Sequence, residues 1–234
     1  MTTVLTIGGT DSSGGAGLSR DAAMAAELGV MVRPAVTAVT VQTNEAVLAI
    51  HPCPPQAVAG QLRAALATPP PPGAVKIGML GSAAIAKAVE AALPPGLPLV
   101  LDPVLKASSG GTLMDTGGFG ALLQRAALIT PNLAELEHLS DTGGSLETQA
   151  AALLSRGAQA VLVKGGHGSG AESIDLLFTA DGKVSSFAAP RLKASKRGTG
   201  CSLATAIACR LAQGAGLENA CCDGKDAVHR WLRR

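Results

Sequence analysis

VLTIGGTDSSGGAGLSRDAAMAAELG, residues 4–29, runs from an aliphatic stretch through five glycines and two aspartates into an alanine-rich stretch of helical length. The first part reads as a buried strand and the last as a helix near residues 16–28. The glycines between them let the backbone approach a ligand closely. Turns of this kind open several nucleotide-binding folds, and the spacing here sets two of them aside. Gly14, Gly15 and Gly17 do not fall into the G-x-G-x-x-G register, because position 20 is arginine, and no Gly-Lys-Ser/Thr ending follows. The turn is therefore neither a nicotinamide-type Rossmann fingerprint nor a P-loop.

The same alternation continues outward from this stretch. Apolar runs at 4–9, 34–41, 75–80, 97–103, 127–130 and 160–165 read as strands. Helical segments are predicted near 55–67, 82–93, 118–126, 132–139, 146–156, 199–213 and 217–233. Strands joined by crossover helices give an α/β fold with a mostly parallel sheet. Residues 174–187 form a strand pair about the Asp181-Gly182 turn, and the proline run 69–72 is a stiff helix-to-strand connector. With 234 residues, 47% of them hydrophobic, the expectation is one domain spanning 1–234.

Composition narrows the function. A net charge of +2, one Trp, three Phe and no Tyr leave neither a basic footprint nor stacking surfaces for nucleic acid. The C-terminal HRWLRR reads as a solvated helix end. Cysteines at 53, 201, 209, 221 and 222 form an odd set without C-x-x-C spacing, which suits a reducing cytoplasm rather than zinc or disulfides. No leader or membrane-spanning apolar run is visible, so a soluble protein acting on a small molecule is expected.

In open parallel sheets, ligands gather beyond the C-terminal strand ends. Those ends supply residues 8–17, 42–44, 78–81, 102–111, 131–135, 164–167 and 197–201, which hold most of the unusual glycine and polar positions. Gly198 and Gly200 precede a helix whose first amides have no internal partner and can receive an anion. Cys201 stands at that helix tip, either as a base whose thiol is lowered by the amides or as an ordinary small buried residue. Asp102 ends a strand, and Asn132 and Glu135 share one helix face. These oxygens suit magnesium, and they equally suit a strand-end turn and an N-terminal cap. Lys164 precedes a glycine loop, where an ammonium can meet polyphosphate or simply be solvated. His167 reads as a loop surface residue.

Seven motifs occur here in order: GGTDSSGGAG, the Gln42 segment, KIGML, LDPV followed by ASSG, ITPNLAEL, VKGGH and RGTGCSLATAIA. Together, over about residues 3–215, the chain resembles the hydroxymethylpyrimidine/phosphomethylpyrimidine kinases of thiamine biosynthesis. The resemblance implies a ribokinase-like three-layer α/β/α sandwich, usually dimeric, that uses ATP and Mg2+. It implies a pyrimidine subsite of Gly9, Ala16, Asp21, Gln42, Met79 and Val104, with Gln42 reading the polar edge. Asn132, Glu135, Lys164, Thr199 and Gly200 would meet ATP, and Asp102 with Glu135 would organise magnesium through water. Cys201, with the Gly198 and Gly200 turn, would activate the acceptor hydroxyl.

Some positions depart from the family pattern. Arg197 replaces a histidine before Gly198, Thr43-Asn44 is transposed, and Ser12 stands where proline is frequent. Lys106 and Gly111 alter the segment around SSG, and His229 falls at a lysine position. Arg197 is expected to add charge beside the phosphate site and favour a phosphorylated substrate. A pyridoxal-type kinase and a non-catalytic pyrimidine-binding relative are the alternative readings.

Overall fold

The computed structural model describes residues 1–105, 119–166, 170–193 and 196–234. Lys106, the 108–111 segment and His167 lie outside them. Nine strands form a single sheet in the order β3-β2-β1-β4-β5-β6-β7-β8-β9. They are β1 Thr3–Asp11, β2 Met31–Gln42, β3 Val47–Pro52, β4 Ala74–Ile77, β5 Leu99–Leu101, β6 Leu128–Ile129, β7 Ala160–Val163, β8 Glu172–Thr179 and β9 Val184–Pro190. The run from β2 through β1, β4, β5 and β6 to β7 is parallel. An antiparallel strand pairs at each flank, β3 on β2 and β8 on β7, and β9 completes the outer hairpin.

The helices are α1 Gly17–Glu27, α2 Pro55–Ala67, α3 Ala83–Ala92, α4 Gly120–Arg125, α5 Leu133–Ser140, α6 Leu146–Ser155, α7 Thr199–Ala212 and α8 Leu217–Leu232. Each agrees with its predicted segment to within about two residues. Alternate residues of the parallel strands point to opposite faces. Leu5, Ile7, Val75, Ile77, Leu99 and Leu101 join the core beneath α2 to α6. Val4, Ala74, Val100, Leu128 and Leu162 join a second core beneath α1, α7 and α8. Two cores on the two faces of one sheet make the three-layer α/β/α sandwich.

Two features differ from the sequence expectations. β3 is not among the predicted strands: VLAIHP lies between a polar turn and the proline-rich segment 52–55, and it is held by antiparallel pairing at the sheet edge. The C-terminal HRWLRR is not a freely solvated end. Trp231 packs beside the small cluster of Met24, Ala206 and Ala227, with the Arg20 guanidinium 4.5 Å and the Lys196 ammonium 5.2 Å from its ring centre. Cation–π contact and burial of the ring outweigh solvation of that helix turn.

Candidate active site

A cleft of ≈ 1270 Å³ opens where the parallel strands end, and it gathers every site residue read from the sequence. The glycine loop after β1, the end of β2, the Met79 segment after β4, Asp102 after β5, the start of α5, Lys164 after β7 and the tip of α7 all line it. Apart from the tip of α7, which comes after the outer hairpin strand β9, these motifs converge because each lies at the end of a strand in the parallel run, at the edge where ligands collect.

The tip of α7 forms the cleft's centre. Gly198 caps the helix with a φ of 77°, and a side chain there would meet the Gly15 carbonyl at 2.4 Å. The first helical bond runs from the Ser202 amide to the Gly198 carbonyl, so the amides of Thr199, Gly200 and Cys201 precede the helical ladder. At Gly200 a Cβ would stand 3.2 Å from Lys164 Nζ, so glycine lets that ammonium approach the helix tip. The result is a cluster of positive dipole and ammonium charge suited to phosphate oxygens.

Lys164 is not a solvated strand end. Its ammonium lies 2.9 Å from Asp102 Oδ1 and 3.5 Å from Glu135 Oε2. Burial opposes its charge, but Asp102 and Glu135 outweigh that cost and hold its pKa above the ordinary lysine range. Glu135 also accepts from the Asn132 amide, while Asn132 Oδ1 accepts from the Glu135 amide. The pair therefore caps α5 and faces the cleft at once. Burial raises the Glu135 carboxyl, against the pull of Lys164. Among the described residues, no group of three or more His, Cys, Asp or Glu forms a metal cage. Two carboxylates opening on a cleft fit magnesium held largely by water and phosphate oxygens.

Beneath the tip of α7 lies a second ion pair. Lys76 donates to both oxygens of Asp21 at 2.9 Å, and Thr205 Oγ1 donates to Asp21 at 2.7 Å. Asp21 thus reaches the cleft floor with its carboxylate already engaged. Thr205 follows Cys201 by one helical turn, and Asp21 follows Gly17 by one turn, so the starts of α7 and α1 meet around Cys201. The Gly17 amide hydrogen-bonds toward the Cys201 thiol.

The thiol itself corrects an expectation. Burial pushes Cys201 up to about 11; Lys76 opposes this, Asp21 and Asp102 add to it, and the Gly17 amide opposes it. The lowering by the helix-start amide is outweighed here, because desolvation of the thiol is the larger effect.

Gly9, Ala16, Gln42, Met79 and Val104 also line the cleft. Gln42 is anchored through its backbone, its amide donating to Ser12 Oγ and its carbonyl accepting from that hydroxyl, both at 2.7 Å. Arg197 does not present a free charge to a phosphate. It pairs with Asp11 at 3.1 Å and donates to Ser13 Oγ at 2.6 Å and to the Thr43 carbonyl at 3.0 Å.

Sequence reasoning missed three contributors. Lys76 left a signal, as a lysine inside an aliphatic strand, but its partner is 55 positions away. The Lys225–Asp175 pair, 3.0 Å apart, lies at the cleft wall, and Asp175 also accepts from the Gly165 amide after Lys164. Lys225 is one turn before His229, which lines the same wall. Arg191 donates to the carbonyls of Gly165, Gly166, Gly170 and Glu172.

A family model for phosphomethylpyrimidine kinases matches residues 11–234. The chain belongs to that family. It is accordingly a kinase with the ribokinase-like α/β fold. The hydroxymethylpyrimidine/phosphomethylpyrimidine kinase of Mycobacterium tuberculosis is 42% identical over 98% of this chain and 88% of its own length. The thiamine biosynthesis bifunctional protein of Geobacter sulfurreducens is 41% identical over 98% of this chain, which spans only 49% of that protein. Among solved structures, phosphomethylpyrimidine kinase from Clostridium difficile superposes with a TM-score of 0.82 at 29% identity, covering 99% of this chain and all of that one. Pyridoxal kinase from Staphylococcus aureus in complex with AMP-PCP and pyridoxal gives 0.85 at 29% identity, covering 98% and 87%.

Proposed function

We propose that residues 1–234 act as one kinase domain that transfers the γ-phosphoryl group of ATP to 4-amino-5-hydroxymethyl-2-methylpyrimidine and then to its monophosphate. The observation that carries this reading is the convergence of Cys201, the α7 amides and the Lys164–Asp102–Glu135 cluster in one cleft. The pyrimidine lies at the Gly9, Ala16, Gln42, Met79 and Val104 end, with Asp21 beneath it. The nucleotide approaches over Asn132, Glu135 and Lys164, its transferring group received by the Thr199 and Gly200 amides.

In the first transfer the acceptor oxygen attacks phosphorus, the bond to the ADP oxygen breaks, and the hydroxyl proton passes to Cys201 as thiolate. Asp102 and Glu135 would hold magnesium through water, and the ion would supply charge neutralisation for the phosphates. A cytoplasmic setting suits the five unpaired cysteines. Val39, Val41 and Leu48, exposed on the β2–β3 edge pair, support a homodimer, for which light scattering should return twice 23.2 kDa.

Coupled ADP release should follow addition of the hydroxymethylpyrimidine and of its monophosphate, and pyridoxal should be the poorer acceptor. Cys201→Ala should retain pyrimidine binding while turnover of the hydroxymethyl substrate drops by about 10²- to 10⁴-fold. Preference for pyridoxal would transfer the reading to the second kinase class, whose solved relative shares this fold. Unchanged turnover would remove Cys201 from proton transfer.

A further inference from the structure

Three separate segments meet at the rim of the cleft beside Gln42. They are the glycine loop after β1, the turn between β2 and β3, and the residues leading into α7. Ser12 holds the end of β2 to the first loop through the two hydrogen bonds at Gln42. The turn beyond it closes on itself, the Thr43 amide donating to the Ala46 carbonyl at 2.9 Å and the Ala46 amide donating to Thr43 Oγ1 at 3.1 Å. These two hydrogen bonds stay within the turn.

Arg197 supplies the tie. One guanidinium nitrogen donates to Ser13 Oγ, to the Thr43 carbonyl and, at 3.4 Å, to Asn44 Oδ1, while another pairs with Asp11. Its side chain is 16% exposed and that of Asp11 3%, so the charge is largely enclosed and already neutralised. Ser13 Oγ in turn donates to Asp11 at 2.7 Å, which closes a polar ring around the guanidinium. Gly15 leaves room for it: a Cβ there would lie 3.2 Å from the Arg197 nitrogen. A planar group with donors on several edges can bridge three segments in this way, as a lysine point charge cannot.

We propose that Arg197 is a positioning residue that latches the β2–β3 turn over the acceptor end of the cleft, and so sets affinity for the pyrimidine ring rather than for its phosphate. The proposal rests on the Gln42 end being the acceptor subsite. Loss of the latch frees the turn, and ordering it again on binding costs affinity for any pyrimidine equally. A phosphate-binding arginine would instead discriminate between the hydroxymethylpyrimidine and its monophosphate.

The test compares the full-length protein with Arg197→Met and Asp11→Asn. Hydrogen exchange at the Thr43 and Ala46 amides should speed up by about tenfold or more in both variants, with no further gain in the double variant. Calorimetric titration of Arg197→Met should show about tenfold weaker binding of both pyrimidines, roughly 1.4 kcal/mol. Affinity for a non-hydrolysable ATP analogue should stay within about twofold, since none of the latch contacts involves Asp102, Glu135 or Lys164. Unchanged exchange at Thr43 and Ala46 overturns the latch whatever the substrate is. A loss confined to the monophosphate overturns it in favour of direct phosphate contact. If the parent protein binds neither pyrimidine, the assigned substrate is wrong, and the exchange measurement still decides the latch.

Discussion

Lys76 and Lys164 both leave the same sheet to meet an aspartate at 2.9 Å, yet their surroundings differ. Lys76 arises within β4 and is sealed with Asp21, the two side chains 1% and 0% exposed. Lys164 follows β7, is 12% exposed, and shares its charge between Asp102 and Glu135 at the cleft wall. In the sealed pair each ion is the other's main replacement for water, so neither can be spared. On the proposed function, a phosphate would take over the ammonium of the open cluster and free its carboxylates for magnesium. Similar pairings would thus serve two ends. One holds the meeting point of α1 and α7 beneath Cys201, and the other would receive the nucleotide.

The largest effect should come from breaking the sealed pair. Lys76→Met leaves Asp21 buried without its cation, and urea denaturation should show a loss of about 3–5 kcal/mol. Burial raises the Asp21 carboxyl even beside Lys76, so removing the ammonium drives it to the neutral form. The double variant Lys76→Met with Asp21→Leu replaces both ions by apolar groups and should recover most of that stability. If the single variant were as stable as the parent, the sealed pair would not be holding the helix starts together.

The open cluster should respond in activity instead. Lys164→Met removes a charged partner of the phosphates, worth about 1.5–3 kcal/mol, or roughly 10- to 100-fold in kcat/KM for ATP. Its melting temperature should change less than that of Lys76→Met, because Lys164 and Glu135 open on the cleft at 12% and 11% exposure, whereas the Lys76–Asp21 pair is closed off. Both phosphoryl transfers should suffer alike, since both use the same donor. A stability loss equal to that of Lys76→Met would erase the distinction between the two pairs.

How far the sequence discloses this arrangement follows from the range of each interaction. Helices and parallel strands announce themselves through local periodicity, and each strand end marks a cleft residue, so Asp102, Asn132, Lys164 and Cys201 are found from neighbours alone. β3, set between a polar turn and a proline-rich segment, is not marked by its own pattern and is held by its pairing with β2. Ion-pair partners are set by the folded path: Asp21 and Thr205 are 184 positions apart, as are Arg197 and Ser13. The charge on Arg197 was visible, but Asp11, the partner that neutralises it, was not. The same holds for Cys201, where helix-tip chemistry was legible and the degree of burial that outweighs it was not.

Cys201 lies between the two pairs and gives the finest test of their division of labour. Both lysines feel its charge, and its thiol is held near 11. Transfer to the hydroxymethyl group must remove a proton, so if Cys201 takes it, as proposed, the thiolate fraction limits the rate. That rate should rise with pH, by about tenfold per unit below the thiol's midpoint. Transfer to the monophosphate differs, because a phosphomonoester has a second pKa of about 6 and presents an already ionised oxygen near neutral pH. Cys201→Ala should therefore change the second transfer by less than about tenfold, far below its effect on the first. The second transfer should also be nearly flat between pH 7 and 9 in both proteins. Equal losses in the two transfers would mean that Cys201 shapes the helix tip for phosphate, and the sealed pair beneath it would then serve the same end as the open one.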